Sequence, residues 1–362
     1  MERRPHRLAA LRASLVDSGF DALLVTSLPN IRYLTGFTGS AALLVVPAGE
    51  PPVLLTDYRY QAQVADEVGE HASVRIEPVS LWAGLREVLP AIADGERMAF
   101  ESAHLLHGDF ERFADFGGRW QWRGGVGLVE ALRERKDPGE LQRIRDAVRM
   151  AESALARTIR EVHVGLTERQ VAGILEHHLR DEGSDAPPFE TIVASGARSA
   201  LPHARPSSRE LRREEFLLID FGASYEGYCS DITRTFALQS VNAEMQELHD
   251  IVREATLSAS AGVRAGMRGR DADAIARDYI EGRGYGELFG HSLGHGIGLE
   301  VHESPRLART ADAPLGPGAV VTIEPGIYRP GWGGVRIEDD VYLAEEGPVV
   351  LTSFPRELMV VG

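Results

Sequence analysis

Four acidic residues stand at matching places in two stretches of this sequence. In "FLLIDFGASYEGYCSDITRTF" an apolar run ends at Asp220, and a second strand-like stretch follows Asp231. In "VVTIEPGIYRPGWGGVRIEDDVYL" an apolar run ends at Glu324, and the returning stretch carries Glu338. Ionised carboxylates in such apolar surroundings are costly to bury unless their charge is compensated. Because the chain has a single lysine, Lys136, the pattern predicts that divalent cations supply the counter-charge.

The segment "HSLGHGIGLEVHE", residues 291–303, adds three histidines to these acids. Its glycines occupy alternate positions, which disfavours a helix. In an extended chain His291 and His295 face the same side, whereas His302 reaches that side only if the backbone bends. A neutral imidazole with four carboxylates balances two divalent ions, and oxygen ligands favour Mn²⁺, Mg²⁺ or Co²⁺.

Alternatives to a metal enzyme remain open. Ser292 lies in a G-x-S-x-G pattern, as in a serine hydrolase. That pattern requires a helix directly after the serine and a histidine downstream of the acid, whereas glycines follow here and His302 is the last histidine. Cys229 is expected to be a packing residue that borders the site. A peptide-binding module that has lost its metals is the other alternative.

Two α/β domains are expected to position these residues. Residues 1–130 alternate strand-like and helical patterns, which is typical of a layered α/β domain. The boundary is placed near residue 130, where a densely charged stretch leads to Pro138, a residue suited to the first turn of a helix. Residues 131–362 form the second domain.

The second domain contains an internal repeat. "GLTERQVAGILEHHLRDEG" begins at Gly165 and "GMRGRDADAIARDYIEGRG" begins at Gly266, and each precedes one of the acid-bearing hairpins. Thr167 and Gln170 form a capping-box pattern at the start of the first copy. The repeat therefore predicts two similar halves, each of which delivers two carboxylates.

Composition limits the partners and the compartment. The net charge of −15 disfavours nucleic acid and anionic membranes as partners. The single cysteine allows no internal disulfide, and no apolar run is long enough to span a membrane. Near the N-terminus, Leu8, Leu11 and Leu15 fit an amphipathic helix. We therefore expect a cytoplasmic enzyme.

With these residues in place, the second domain resembles the pita-bread metallopeptidases, the family of methionine aminopeptidase, aminopeptidase P and prolidase. The resemblance rests on "IDFG", "SDITRTF", "GHGIGLEVHE", "IEPGIY" and "VRIEDD", which appear in the family's order. It implies an α/β (α+β) fold, with a creatinase- and prolidase-like N-terminal domain at 1–130 and a pseudo-twofold pita-bread catalytic domain at 131–362. The implied metal ligands are Asp220, Asp231, His295, Glu324 and Glu338.

The resemblance also implies how the ligands are shared. Asp231 and Glu338 would bridge two ions, Asp220 would hold one, and His295 with Glu324 the other. The ions would be Mn²⁺ first, with Co²⁺ or Zn²⁺ as alternatives, and Glu324 would also relay the proton of the attacking water.

Further residues match the family's substrate site. His203 and His302 would contact the substrate and assist catalysis, and His291 and Arg336 would bind or orient it. The implied activity is hydrolysis of the Xaa-Pro bond by a homodimeric Xaa-Pro dipeptidase (prolidase). The alternative is aminopeptidase P, which acts on longer proline-containing peptides.

Overall fold

The computed structural model describes residues 4–92, 97–114, 116 and 120–362. The chain divides into two compact units, Met1–Arg133 and Glu134–Gly362.

The first unit is built on a six-stranded mixed sheet with strand order β4-β3-β2-β1-β5-β6. β1 runs parallel to β5 and antiparallel to β2. The strands are β1 (Ala22–Val25), β2 (Ala42–Pro47), β3 (Val53–Asp57), β4 (Ser73–Glu77), β5 (Arg97–Glu101) and β6 (Gln121–Gly125). The helices are α1 (Arg4–Asp17), α2 (Leu28–Thr35), α3 (Gln61–Val68), α4 (Leu81–Ile92), α5 (His107–Ala114) and α6 (Glu130–Glu134).

The alternation of strands and helices in this unit follows the sequence pattern. β1 and β2 are continuous apolar runs and are buried along their whole length. The sequence predicts a helix over 81–94 and another over 109–116, and residues 93, 94 and 115 of these lie outside the described part of the chain. The pattern did not predict α2 and β6.

The second unit contains two sheets that carry the acidic hairpins. One has the order β19-β11-β8-β7 and the other β13-β12-β14-β17-β18. Their strands are β7 (Ile192–Ser195), β8 (Phe216–Phe221), β11 (Ile232–Leu238), β12 (Gly294–Gly296), β13 (Glu303–Leu307), β14 (Val320–Ile323), β17 (Asp339–Ala344), β18 (Gly347–Val350) and β19 (Val360–Val361). Two short hairpins consist of β9 (Ser224–Tyr225) with β10 (Tyr228–Cys229), and of β15 (Gly326–Arg329) with β16 (Gly333–Arg336).

Four long helices accompany these sheets. They are α7 (Pro138–Thr158), α8 (Glu168–Asp181), α9 (Ala243–Gly262) and α10 (Gly269–Gly282). α7 begins at a capping box between Asp137 and Glu140, with Pro138 in the first turn. α8 begins at the capping box that the sequence predicts, between Thr167 and Gln170.

The repeat appears in the structure as two helix pairs. α8 packs on α7, and α10 packs on α9. The glycines that open the two copies, Gly165 and Gly266, both have positive φ, of 94° and 87°. The glycines that close them, Gly183 and Gly284, have φ of 95° and 85°. Because only glycine adopts this conformation at little cost, the glycines that the two copies have in common mark equivalent turns.

Each half of the second unit has its own apolar core. Leu155, Leu175 and Phe236 are buried in the first, and Val252, Ile280 and Val321 in the second. Among the described residues, no helix combines the length and apolar character that a membrane crossing requires.

Candidate metal centre

The four predicted acids lie at the ends of paired strands. Asp220 is in β8, and Asp231 directly precedes β11, its antiparallel partner. Glu324 directly follows β14, and Glu338 directly precedes β17, which pairs antiparallel with β14. Each hairpin therefore brings two carboxylates to one end of its sheet.

Three of these side chains, those of Asp231, Glu324 and Glu338, converge on His295, which lies in β12. Its Nε2 is 3.8 Å from Asp231 Oδ2 and 3.5 Å from Glu324 Oε1. Asp231, His295 and Glu338 each place a ligand atom within 4.8 Å of the others. The structure thus brings residues from both halves of the second unit together at one buried point.

The charges at this point are poorly compensated. Burial raises the pKa of Asp231 well above its usual range, and the carboxylates of Glu338 and Asp220 raise it further. Burial likewise raises the pKa of Glu338, and it raises the pKa of Glu324 to about 8. Like-charged carboxylates that crowd together out of water accommodate a cation readily, and divalent ions meet this need.

Two carboxylate oxygens support this conclusion. Oδ1 of Asp220 and Oδ1 of Asp231 are buried, and neither has a hydrogen-bond partner among the described residues. A buried acceptor is normally satisfied, and a bound ion would satisfy both oxygens. The residues present therefore fit divalent metal ions.

Arg336 supplies a positive charge beside these acids. The sequence argument, which considered only lysine, does not reveal it. Its guanidinium is 2.5 Å from Asp220 Oδ2, and the side chain is only 3% exposed. Its Nη1 donates to the hydroxyl of Tyr328 at 2.6 Å, and its Nε donates to Thr233 Oγ1 at 3.0 Å. Nη1 also lies 3.3 Å from the carbonyl of Pro202, in the loop that leads to His203.

His295 is held in the form that a metal ligand requires. Burial lowers its pKa to about 4, so that the imidazole is neutral near pH 7. Its Nδ1 lies 3.0 Å from the carbonyl oxygen of Gly296, a contact in which Nδ1–H donates. Nε2 then presents its lone pair to the carboxylates.

The bend that His302 needs is present. After β12 the chain turns back, and the His302 ring comes within 4.5 Å of the His295 ring, centre to centre. Close backbone packing accounts for two glycines here, because a Cβ on Gly294 would be 1.9 Å from the carbonyl oxygen of Thr322 and one on Gly296 would be 2.0 Å from that of Ser304.

The other predicted histidines border the same point. His291 Nδ1 is 4.0 Å from Glu324 Oε2, and burial lowers the His291 pKa to about 4. Burial and the neighbouring His203 also lower the pKa of His302. His203 and His302 are exposed and therefore accessible to a ligand.

The features behind the serine and cysteine alternatives are differently placed. Ser292 is followed by the strand β12, not by the helix that a nucleophile elbow requires. Cys229 is buried, and burial raises the pKa of its thiol to about 12. A thiol held in its protonated form is a poor nucleophile, as expected of a packing residue.

Three supporting residues were not predicted from the sequence. The Thr233 hydroxyl donates to Glu338 Oε2 at 2.6 Å, and the Asp340 carboxylate accepts from the backbone N–H of Asp231 at 3.1 Å. The Tyr328 hydroxyl lies 2.9 Å from His291 Nε2. Thr233, Tyr328 and Asp340 belong to "SDITRTF", "IEPGIY" and "VRIEDD", so the motifs contained a signal for all three.

The comparison with known protein families agrees with this geometry. Residues 142–345 match the model of metallopeptidase family M24, and residues 7–135 match the creatinase/prolidase N-terminal domain.

Individual proteins resemble the chain over nearly its whole length. It is 36% identical to an Xaa-Pro dipeptidase of Pyrococcus horikoshii, over 94% of this chain and 95% of that protein. Its fold is similar to the structure of an Xaa-Pro dipeptidase from Bacillus anthracis, with a TM-score of 0.95 and 37% identity over 99% of this chain and 100% of that one. It is also similar to the structure of an X-Pro aminopeptidase from Thermotoga maritima, with a TM-score of 0.90 and 38% identity over 100% of both chains.

Proposed function

The chain belongs to metallopeptidase family M24, and we propose that it hydrolyses the Xaa-Pro bond of dipeptides with the help of two divalent metal ions. One observation carries the proposal: carboxylates from both halves of the second unit converge with a neutral histidine, and Oδ1 of Asp220 and Oδ1 of Asp231 have no hydrogen-bond partner among the described residues. We further propose that residues 131–362 form the catalytic domain and residues 1–130 a supporting domain.

The proposed ligands are Asp220, Asp231, His295, Glu324 and Glu338, and together these residues would hold the two ions. When bound, two such ions lower the pKa of a water molecule and polarise the scissile carbonyl.

The chain's own residues would then complete the reaction. Glu324 would accept the proton of the attacking water and pass it to the leaving amine. His203 and His302, both exposed beside the cluster, would donate hydrogen bonds to the substrate and to the oxyanion that develops. Arg336 would orient the site through its contact with Asp220.

The proline preference rests on the relatives. An Xaa-Pro bond has no N–H, so recognition must depend on the fit of the ring and on the metals. Relatives named as dipeptidases support the dipeptidase. The similarity to an X-Pro aminopeptidase over the whole of both chains supports aminopeptidase P as the second candidate.

Mn²⁺ is the proposed metal, because the ligands are mainly carboxylates, with Co²⁺ and Zn²⁺ as alternatives. A homodimer and a cytoplasmic location are proposed on the same family resemblance. Sedimentation analysis of the purified protein tests the first, and fractionation of the producing cells tests the second.

The decisive experiment compares an Xaa-Pro dipeptide with a matched Xaa-Pro-Xaa tripeptide. Metal-stripped protein is assayed with and without Mn²⁺, and an Xaa-Ala dipeptide controls for the proline preference. We expect Mn²⁺-dependent cleavage of the Xaa-Pro dipeptide alone. Preferential cleavage of the tripeptide would instead identify an aminopeptidase P.

Two further outcomes would overturn the proposal. Cleavage of the Xaa-Ala control at an equal rate would refute the proline preference. A purified protein that binds no divalent metal, measured by elemental analysis, would be the metal-free peptide-binding module. Parallel assays with Co²⁺ and Zn²⁺ test the choice of metal.

A further inference from the structure

Lys136, the only lysine of the chain, forms a deeply buried ion pair with Glu303. Its Nζ donates to Glu303 Oε2 at 3.1 Å, and the two side chains are 1% and 6% exposed. Burying two charges is costly, so a buried pair is weak evidence for stability. A role in fixing one conformation is the better-supported reason for keeping such a pair, and the surroundings of Glu303 show which segment it fixes.

The Glu303 carboxylate lies inside the turn that follows β12. Its Oε1 accepts from the backbone N–H of Glu300 at 3.0 Å. The space beside it is also filled, because a Cβ on Gly298 would lie 2.7 Å from Oε2. The turn at 297–302 therefore packs closely around this carboxylate, and Lys136 neutralises its charge.

Lys136 lies two residues before α7 and is secured through its backbone, and the first turn of α7 is linked to the same turn through β10. The backbone N–H of Lys136 donates to the carbonyl of Gly318 at 2.8 Å. In the first turn of α7, Glu140 accepts from the hydroxyl of Tyr228 at 2.9 Å. The next residue, Cys229, donates its backbone N–H to the carbonyl of Gly298 at 2.8 Å. The turn is thus held to α7 both through Glu303 and through β10.

This turn carries His302, the residue immediately before Glu303. The His302 ring is exposed, so its position follows from the backbone on which it stands. That position places it 4.5 Å from the His295 ring, centre to centre. A small shift of the turn would therefore move His302 relative to the metal ligands.

We propose that Lys136 is a positioning residue that acts through Glu303 to hold the 297–302 turn, and with it His302, in place for catalysis. The inference rests on the proposed function, in which His302 contacts the substrate. It assigns the single lysine to the active site although its side chain lies outside the cluster of metal ligands.

A double-mutant cycle tests the link to His302. We expect Lys136→Met to lower kcat about 10- to 100-fold, because a displacement of about 1 Å at a reacting group has an effect of this size. Lys136→Arg keeps the charge and should recover most of the rate. In a His302→Ala background, Lys136→Met should have little further effect. Equal losses in the two backgrounds would overturn the proposal.

Leu175→Ala serves as the control for a general loss of stability. Leu175 is fully buried in the core of the first half, whereas the apolar residues of the 297–302 turn belong to a different cluster. It should lower the melting temperature while leaving kcat per bound metal unchanged. A similar fall in kcat for Leu175→Ala and Lys136→Met would mean that destabilisation alone explains the effect.

Hydrogen exchange provides a readout that does not depend on the substrate. Amides of residues 297–303 should exchange about tenfold faster or more in Lys136→Met than in the wild-type protein, and Leu175→Ala should leave them unchanged. Unchanged exchange in Lys136→Met would overturn the proposal even if the enzyme proved inactive on every Xaa-Pro peptide. Failure of the proposed function appears instead as an inactive wild-type protein.

Discussion

Replacing Arg336 by methionine should destabilise the metal-free protein far more than the metal-loaded protein. The guanidinium is the buried cation that faces Asp220, at 2.5 Å. Without it, Asp220 Oδ2 loses its partner while Oδ1 already has none among the described residues. The carboxylate would then be a buried and uncompensated charge unless a metal ion were bound.

The magnitude follows from the contacts that are lost. Removing one partner of a buried ion pair costs about 3–5 kcal/mol in the free energy of unfolding. The substitution also removes the donors to Tyr328 and Thr233, both at hydrogen-bonding distance. In the presence of saturating Mn²⁺ the ion takes over the compensation of Asp220, so the loss should be clearly smaller. Arg336→Lys retains the charge but cannot reach all these partners. The stability of the metal-free Arg336→Lys protein should therefore lie between those of the wild type and of Arg336→Met.

Urea unfolding, followed by circular dichroism with and without Mn²⁺, measures this difference. Steady-state kinetics on the same samples distinguishes this role from direct substrate binding. If Arg336 contacts the substrate instead, Arg336→Met should raise KM while leaving stability and Mn²⁺ affinity at wild-type values. That result would refute the argument from burial and charge.

Three other predictions test separate parts of the structure. Glu324→Gln should lower kcat about 100- to 10,000-fold without changing the circular dichroism spectrum, and near-normal turnover would contradict its role as proton acceptor. Gly294→Ala should cost about 1–3 kcal/mol in urea unfolding because its Cβ would meet the Thr322 carbonyl, whereas Gly173→Ala, in open space on α8, should be neutral or stabilising. Burial lowers the pKa of His249 in the folded protein from the ordinary 6.5 to about 4. As the pH falls from 6.5 to 4, the imidazole of the unfolded chain is therefore protonated before that of the folded chain. The wild-type protein should therefore lose up to about 3 kcal/mol more than His249→Gln over that range, and parallel pH profiles would show that His249 contributes nothing.

The acids and the histidine of the proposed metal centre stand out because each is marked by its local sequence. Asp220 and Glu324 end apolar strands, and that position indicates both burial and a place at a sheet end. The sequence predicts that His302 reaches His295 only if the backbone bends between them. It does not predict that the bend forms, because the glycines allow a bend without requiring one. The repeat whose copies begin at Gly165 and Gly266 predicted two similar halves, and the two glycines have similar positive φ.

The supporting contacts could not be predicted because their partners are distant in the sequence. The single lysine of the chain led to the prediction that divalent cations neutralise the acids. That prediction overlooked Arg336, whose partner Asp220 lies in the other half of the unit. β6 has two glycines among its five residues and, among the described strands, lies at the edge of the sheet beside β5, so its strand signal is weak. α2 is short, and it contains a proline that the structure places in the first turn of the helix, where no N–H is needed.

The proposed metal site lies where the two halves of the second unit are joined by hydrogen bonds. The Thr235 hydroxyl donates to the Arg336 carbonyl at 3.0 Å, and the Glu338 N–H donates to the Thr233 carbonyl at 3.1 Å. The Arg234 guanidinium donates to the Glu338 carbonyl at 2.6 Å. The backbone around Glu338 is thus fixed by β11, which belongs to the other half. Because the ligands come from both sides of this junction, a change that separates the halves should weaken metal binding before it unfolds either core, and metal affinity is therefore the most sensitive measure of how the halves are joined.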